Sequence, residues 1–70
     1  MKVMGTVVRV FKDDTTAVYL RLKEKDYLLR RLGYSLGGDD VLEKLVSKKI
    51  KADGVIDGDT FILAAWSMVR

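Results

Sequence analysis

Tyr19, Arg21 and Lys23 occupy alternate positions in a segment whose intervening residues, Val18, Leu20 and Leu22, are apolar. In an extended chain that spacing puts the three on one side, facing water, with the aliphatic side chains opposite. An aromatic ring beside a guanidinium and an ammonium is chemistry suited to a single-stranded nucleic acid, DNA or RNA. Every base offers a face to stack and every nucleotide a charge to neutralise. Tyr27 with Arg31, or alternatively Arg30, extends this surface if the next segment is also a strand, and Arg9 and Phe11 border it from the first. A plain solvated strand accounts for the same residues equally well, since alternating Lys and Arg keep a small protein in solution. Sequence-specific readout is the weaker expectation.

A second candidate surface lies near the C-terminus. Ile62, Ala64, Trp66 and Met68 alternate on the side away from the expected core, with only Val55 and the stems of Lys49 and Lys51 opposite them. Curvature of the sheet or a covering helix accounts for Trp66 as part of the core, and this is the preferred reading. The alternative is an interface around Trp66, Met68, Ile62 and Lys51, joining two copies through their last strands or docking a protein partner. A lysine over the indole is compatible with both.

Other chemistry is poorly supplied. The chain has no histidine and no cysteine, so acid, base and nucleophile would all have to come from Asp, Glu, Lys or Tyr. Its acids fall in turns or at a helix start, where local hydrogen bonding explains them. Asp57 and Asp59 lack the EF-hand spacing for a hard cation, and Gly37-Gly38 lacks the frame of a phosphate loop. The expectation is a non-enzymatic module with no metal and no cofactor.

The elements that position these residues are short strands. Seventy residues make one domain, spanning 1–70, with a small core. Lys48 to Asp57 and Thr60 to Val69 read as a hairpin around Asp57-Gly58-Asp59, with either Asp57-Gly58 or Gly58-Asp59 as the loop. Its core face joins Ile50, Ala52 and Ile56 to Phe61, Leu63 and Ala65. Val3 to Lys12 and Thr16 to Leu22 are two further strands joined by a turn at Asp13-Asp14-Thr15. Tyr27 to Leu32 fits either a helix ended by Gly33 or the return arm of a hairpin, and the hairpin is preferred. Gly33 to Gly38 is loop, and Asp40-Val41-Leu42-Glu43 opens a short helix with Asp39 and Asp40 at its positive end. Net charge is +3, with eight bases and four acids in residues 2 to 31 and four bases and six acids in residues 39 to 59. No apolar run is long enough to span a bilayer and no signal sequence is evident, so a soluble cytoplasmic protein without membrane contact is expected.

Val3-Met4-Gly5-Thr6-Val7, Val18-Tyr19-Leu20, Tyr27-Leu28-Leu29 and Lys49 to Ile56 leading into Asp57-Gly58-Asp59-Thr60-Phe61 together resemble the OB-fold superfamily, with Gly5 and Gly54 where strands would bend. The chain is most similar to its small single-module members of the anticodon-binding type. That resemblance implies a mainly β fold, a five-stranded Greek-key barrel with one short helix between strands 3 and 4. It also implies ligand binding on the exposed face of the second and third strands.

Overall fold

The computed structural model of the chain describes residues 1–33 and 40–69. Its elements follow in the order β1 (Lys2–Lys12), β2 (Thr15–Arg21), β3 (Asp26–Arg31), α1 (Asp40–Leu45), β4 (Lys49–Asp57) and β5 (Thr60–Met68). The five strands form one sheet that closes into a ring in the order β1-β2-β3-β5-β4, with β4 returning to β1. Neighbours are antiparallel except β3 and β5, which run parallel. The Tyr27 to Leu32 segment, whose residues suit helix or strand, lies in β3 as far as Arg31. It is held on one side by β2 and on the other by β5, a pairing of residues distant in sequence that local pattern does not report. Of the expected loop from Gly33 to Gly38, only Gly33 is among the described residues, and Asp39 is not. Among the described residues no helix is long and apolar enough to cross a membrane.

Strand β1 serves two neighbours. Lys2 to Thr6 pair with β4 and Thr6 to Lys12 with β2, so Thr6 has a partner on each side. Gly5 sits at this changeover, where a Cβ would lie 2.7 Å from the Arg21 carbonyl oxygen and 2.7 Å from Leu22 Cδ2. The missing side chain lets the end of β2 come this close. Lys12 pairs with Thr15, leaving Asp13-Asp14 as a two-residue loop with φ of 52° and 62°, the type I′ pattern that matches strand twist. At the other hairpin Asp57 pairs with Thr60 and Gly58 has φ 62°, so the loop is Gly58-Asp59, with glycine first as a type II′ turn prefers.

Each strand sends alternate residues inward. Val7, Val18, Leu20, Leu29, Ile50, Ala52, Phe61 and Leu63 meet inside the ring, and Leu42 and Leu45 of α1 join the same cluster. A six-residue helix has little stability of its own, so burial of these two leucines, rather than propensity, holds it. The chain leaving α1 is tied to β1: the Ser47 N–H donates to the Val7 carbonyl at 2.7 Å, and the Val7 N–H donates to the Lys48 carbonyl at 2.9 Å.

The β4–β5 hairpin departs from the expected alternation. Gly54 pairs with Leu63 and Asp53 with Ala65, so Ala64 is an extra residue with no partner on β4. One inserted residue reverses which side every later residue faces. Phe61 and Leu63 point inward as expected, but beyond the bulge Trp66 and Met68 stand opposite Ala52 and Ile50, on the core side. Ala65, expected in the core, is exposed. The expected outer stripe of Ile62, Ala64, Trp66 and Met68 is thus not one face. Ile62 stays outside beside Val55, whereas Trp66 packs against the core cluster.

Candidate nucleic-acid interface

Strand register sets side chains in rows across the outer surface. Val8, Tyr19 and Leu28 stand side by side on β1, β2 and β3, and all three are partly exposed. The neighbouring row is Thr6, Arg21 and Asp26. Tyr19 and Arg21 therefore share the outer face, as their alternation with Val18 and Leu20 predicts. Lys23 lies exposed in the turn that follows.

Arg21 is not idle there. Its Nε and Nη2 donate to the two carboxylate oxygens of Asp26 at 3.0 and 3.1 Å, a two-pronged pair across neighbouring strands. The hydrogen bond from Arg21 holds the Asp26 carboxyl below its ordinary range, and the same contact raises the guanidinium. Both groups are charged through the neutral range and cancel as seen from a distance. Asp26→Asn is therefore expected to free Arg21 and to strengthen binding of any polyanion to this face several-fold at low salt. Titration of both proteins with one labelled oligonucleotide checks this, and weaker binding by the variant would contradict it.

Four residues expected on or beside this surface stand on the other side of the sheet. Tyr27 pairs with Leu20 and packs against the core, with Lys25 Nζ 4.9 Å from its ring centroid. Lys25 also bonds Asp59 at 2.6 Å, which raises the ammonium pKa and lowers that of the carboxyl. Arg31 is level with buried Leu63 and lies over Trp66, 5.9 Å from its ring centroid. Arg9 pairs with Val18, and its guanidinium bonds the Glu43 carboxylate of α1. Phe11, on the same side of β1 as Arg9, is 70% exposed beyond the ring. The reason for the correction at β3 is phase. The turn after β2 makes Leu28, not Tyr27, the partner of Tyr19, so Leu28 and Arg30 are the outward residues.

Arg30 is thus the cation that β3 contributes to the outer face. Its Nε is buried and has no hydrogen-bond partner among the described residues. The alternation within Tyr27 to Leu32 allows Arg30 or Arg31, and only the pairing with β2 decides between them. Of the residues considered for a protein interface, Lys51 and Ile62 face outward, Trp66 is half-buried on the core side, and Met68 is 48% exposed near the end of β5. Compared with family models, with curated proteins and with solved structures, the chain matches none.

Proposed function

We propose that the chain is a non-enzymatic binding module of OB type, a Greek-key barrel that takes single-stranded nucleic acid weakly and with little sequence preference on the outer face of β2 and β3. The strand order, the parallel closure of β3 on β5 and a helix between β3 and β4 support the fold in this reading. One observation carries the binding. The ring of Tyr19 lies in an apolar row with Val8 and Leu28, and cations flank that row on both sides, Arg21 on β2 and Arg30 on β3. Each is two residues along its strand, about 7 Å from the row. A base stacked on Tyr19 then has its neighbouring phosphates over guanidinium groups, and the unsatisfied Nε of Arg30 favours reorientation toward such an acceptor.

Titration with a fluorescently labelled oligothymidylate at low salt tests the reading. Tyr19→Ala is expected to cost about 1–3 kcal/mol, the range for loss of one base–aromatic stack. The logarithm of affinity should fall with the logarithm of salt with a slope of about −1.4 to −2.1, for two or three neutralised phosphates. Absence of binding at low salt, or binding indifferent to Tyr19, would overturn it.

A further inference from the structure

We infer that the nucleic-acid surface continues across β1, where a cleft on β1, β4 and β5 takes a further base of the same strand and Lys49 and Lys51 take its phosphates. This rests on the reading above and extends it to residues outside the β2–β3 face.

Thr6 pairs with Arg21 on one side and with Lys49 on the other, so one outer row runs from β2 over β1 to β4. Two strand spacings put the Arg21 and Lys49 backbones about 10 Å apart. Lys51 follows on the same side of β4, opposite Met4, and Lys2 stands one pair further, opposite Asp53. None of the three lysines has a carboxylate within 4.0 Å among the described residues, whereas Arg9, Arg21 and Lys25 each hold one. The three lysines therefore form a basic strip along the outer side of β1 and β4. Sequence position conceals this, because Lys2 and the two β4 lysines are nearly fifty residues apart and meet only through the β1–β4 pairing.

Beside the lysines lies an open cleft of about 540 Å³, lined by Met4, Trp66 and Ser67 as well as by Lys2, Lys51 and Asp53. Its walls are mainly apolar, and its size is within the range of small-ligand sites. Apolar walls with ammonium groups beside them suit a flat ring that carries an anion, and a nucleotide is such a group. Continuity with the Tyr19 face through the Arg21–Thr6–Lys49 row favours a second nucleotide of one strand over an unrelated ligand. The Asp53 carboxylate opposes an anion, which places the phosphates toward Lys49 and Lys51 rather than at the Asp53 end.

Trp66, the only tryptophan in the sequence, stands on the core side of β5 and borders this cleft from beneath the outer row, so its emission reports on occupancy through the strand it belongs to. The test titrates unlabelled oligothymidylates of three and twelve nucleotides, following Trp66 emission, with affinity measured in parallel by calorimetry. The longer strand is expected to quench Trp66 and to bind at least tenfold more tightly than the shorter. The double variant Lys49→Gln/Lys51→Gln, at two exposed positions, should lose the quenching and most of that gain while retaining Tyr19-dependent binding of the short strand. Tight binding of the longer strand with Trp66 emission unchanged, and with no effect of the double variant, would overturn the inference and leave the β2–β3 face intact. Absence of binding by either strand would overturn both.

Discussion

Replacing Gly54 with alanine is expected to leave the chain mostly unfolded at room temperature. A Cβ at this position would lie 2.0 Å from the Ile62 carbonyl oxygen and 2.9 Å from both the Ile62 carbonyl carbon and Phe61 Cε1. The nearest obstacle is backbone in the neighbouring strand, so no change of rotamer relieves it. Overpacking by side chains costs about 1–3 kcal/mol, and a clash with backbone at the bulge exceeds that. A domain of this length holds only about 3.5–10 kcal/mol in total. Gly58→Ala is the comparison. Gly58 has φ 62° but open space around it, so alanine there costs only about 1–2 kcal/mol of left-handed strain. Far-UV circular dichroism and thermal melting of the two variants check the ranking; a folded Gly54→Ala protein melting near the parent would contradict the close approach.

Phe61→Ala is expected to cost about 3–5 kcal/mol, a large share of the same total. Phe61 is fully buried and is the largest such side chain, set between β3 and β4 at Leu29 and Ile56. The walls around it belong to a closed ring of strands, which restricts collapse into the vacated volume and puts the cost toward the upper end. Urea denaturation should show a lower midpoint with little change in slope if the variant still unfolds in one step. A loss below about 1 kcal/mol would mean that the ring does not enclose this residue.

Alternation served well where strands were regular and failed where one residue was inserted. Val18 and Leu20 inward with Tyr19 and Arg21 outward followed directly from period two, as did Ile50 and Ala52 opposite β5. Trp66 did not. Its position relative to Phe61 is read through Ala64, and the bulge there transfers Trp66 and Met68 to the core side. Gly54 marks a bend in β4, but the extra residue falls on the partner strand, where small alanines give no local sign of it. The third strand failed through phase. Tyr27 and Arg31 look like a continuation of the basic aromatic face, yet the register across the Lys23-Glu24 turn puts Leu28 and Arg30 there instead. Charge misled for a similar reason. Bases abound in the first half of the chain, but Arg9, Arg21 and Lys25 meet acids that the fold brings to them, and Lys2 meets Lys49 and Lys51 only through the β1–β4 pairing.

The parallel contact of β3 with β5 has a kinetic meaning. Strands β1 to β3 follow one another through tight turns, and so do β4 and β5, so each piece forms from neighbours in sequence. The two pieces then meet at two seams, β1 with β4 and β3 with β5, and both join residues far apart along the chain. Such distant contacts slow assembly, because the intervening segment must be ordered before they form. With four register pairs against five, and with the Leu28 and Leu32 N–H groups donating to the Asp59 and Leu63 carbonyls, the parallel seam is the shorter. With fewer pairs to hold it, this seam is expected to exchange its amide hydrogens sooner than the β1–β4 seam, which hydrogen exchange would read.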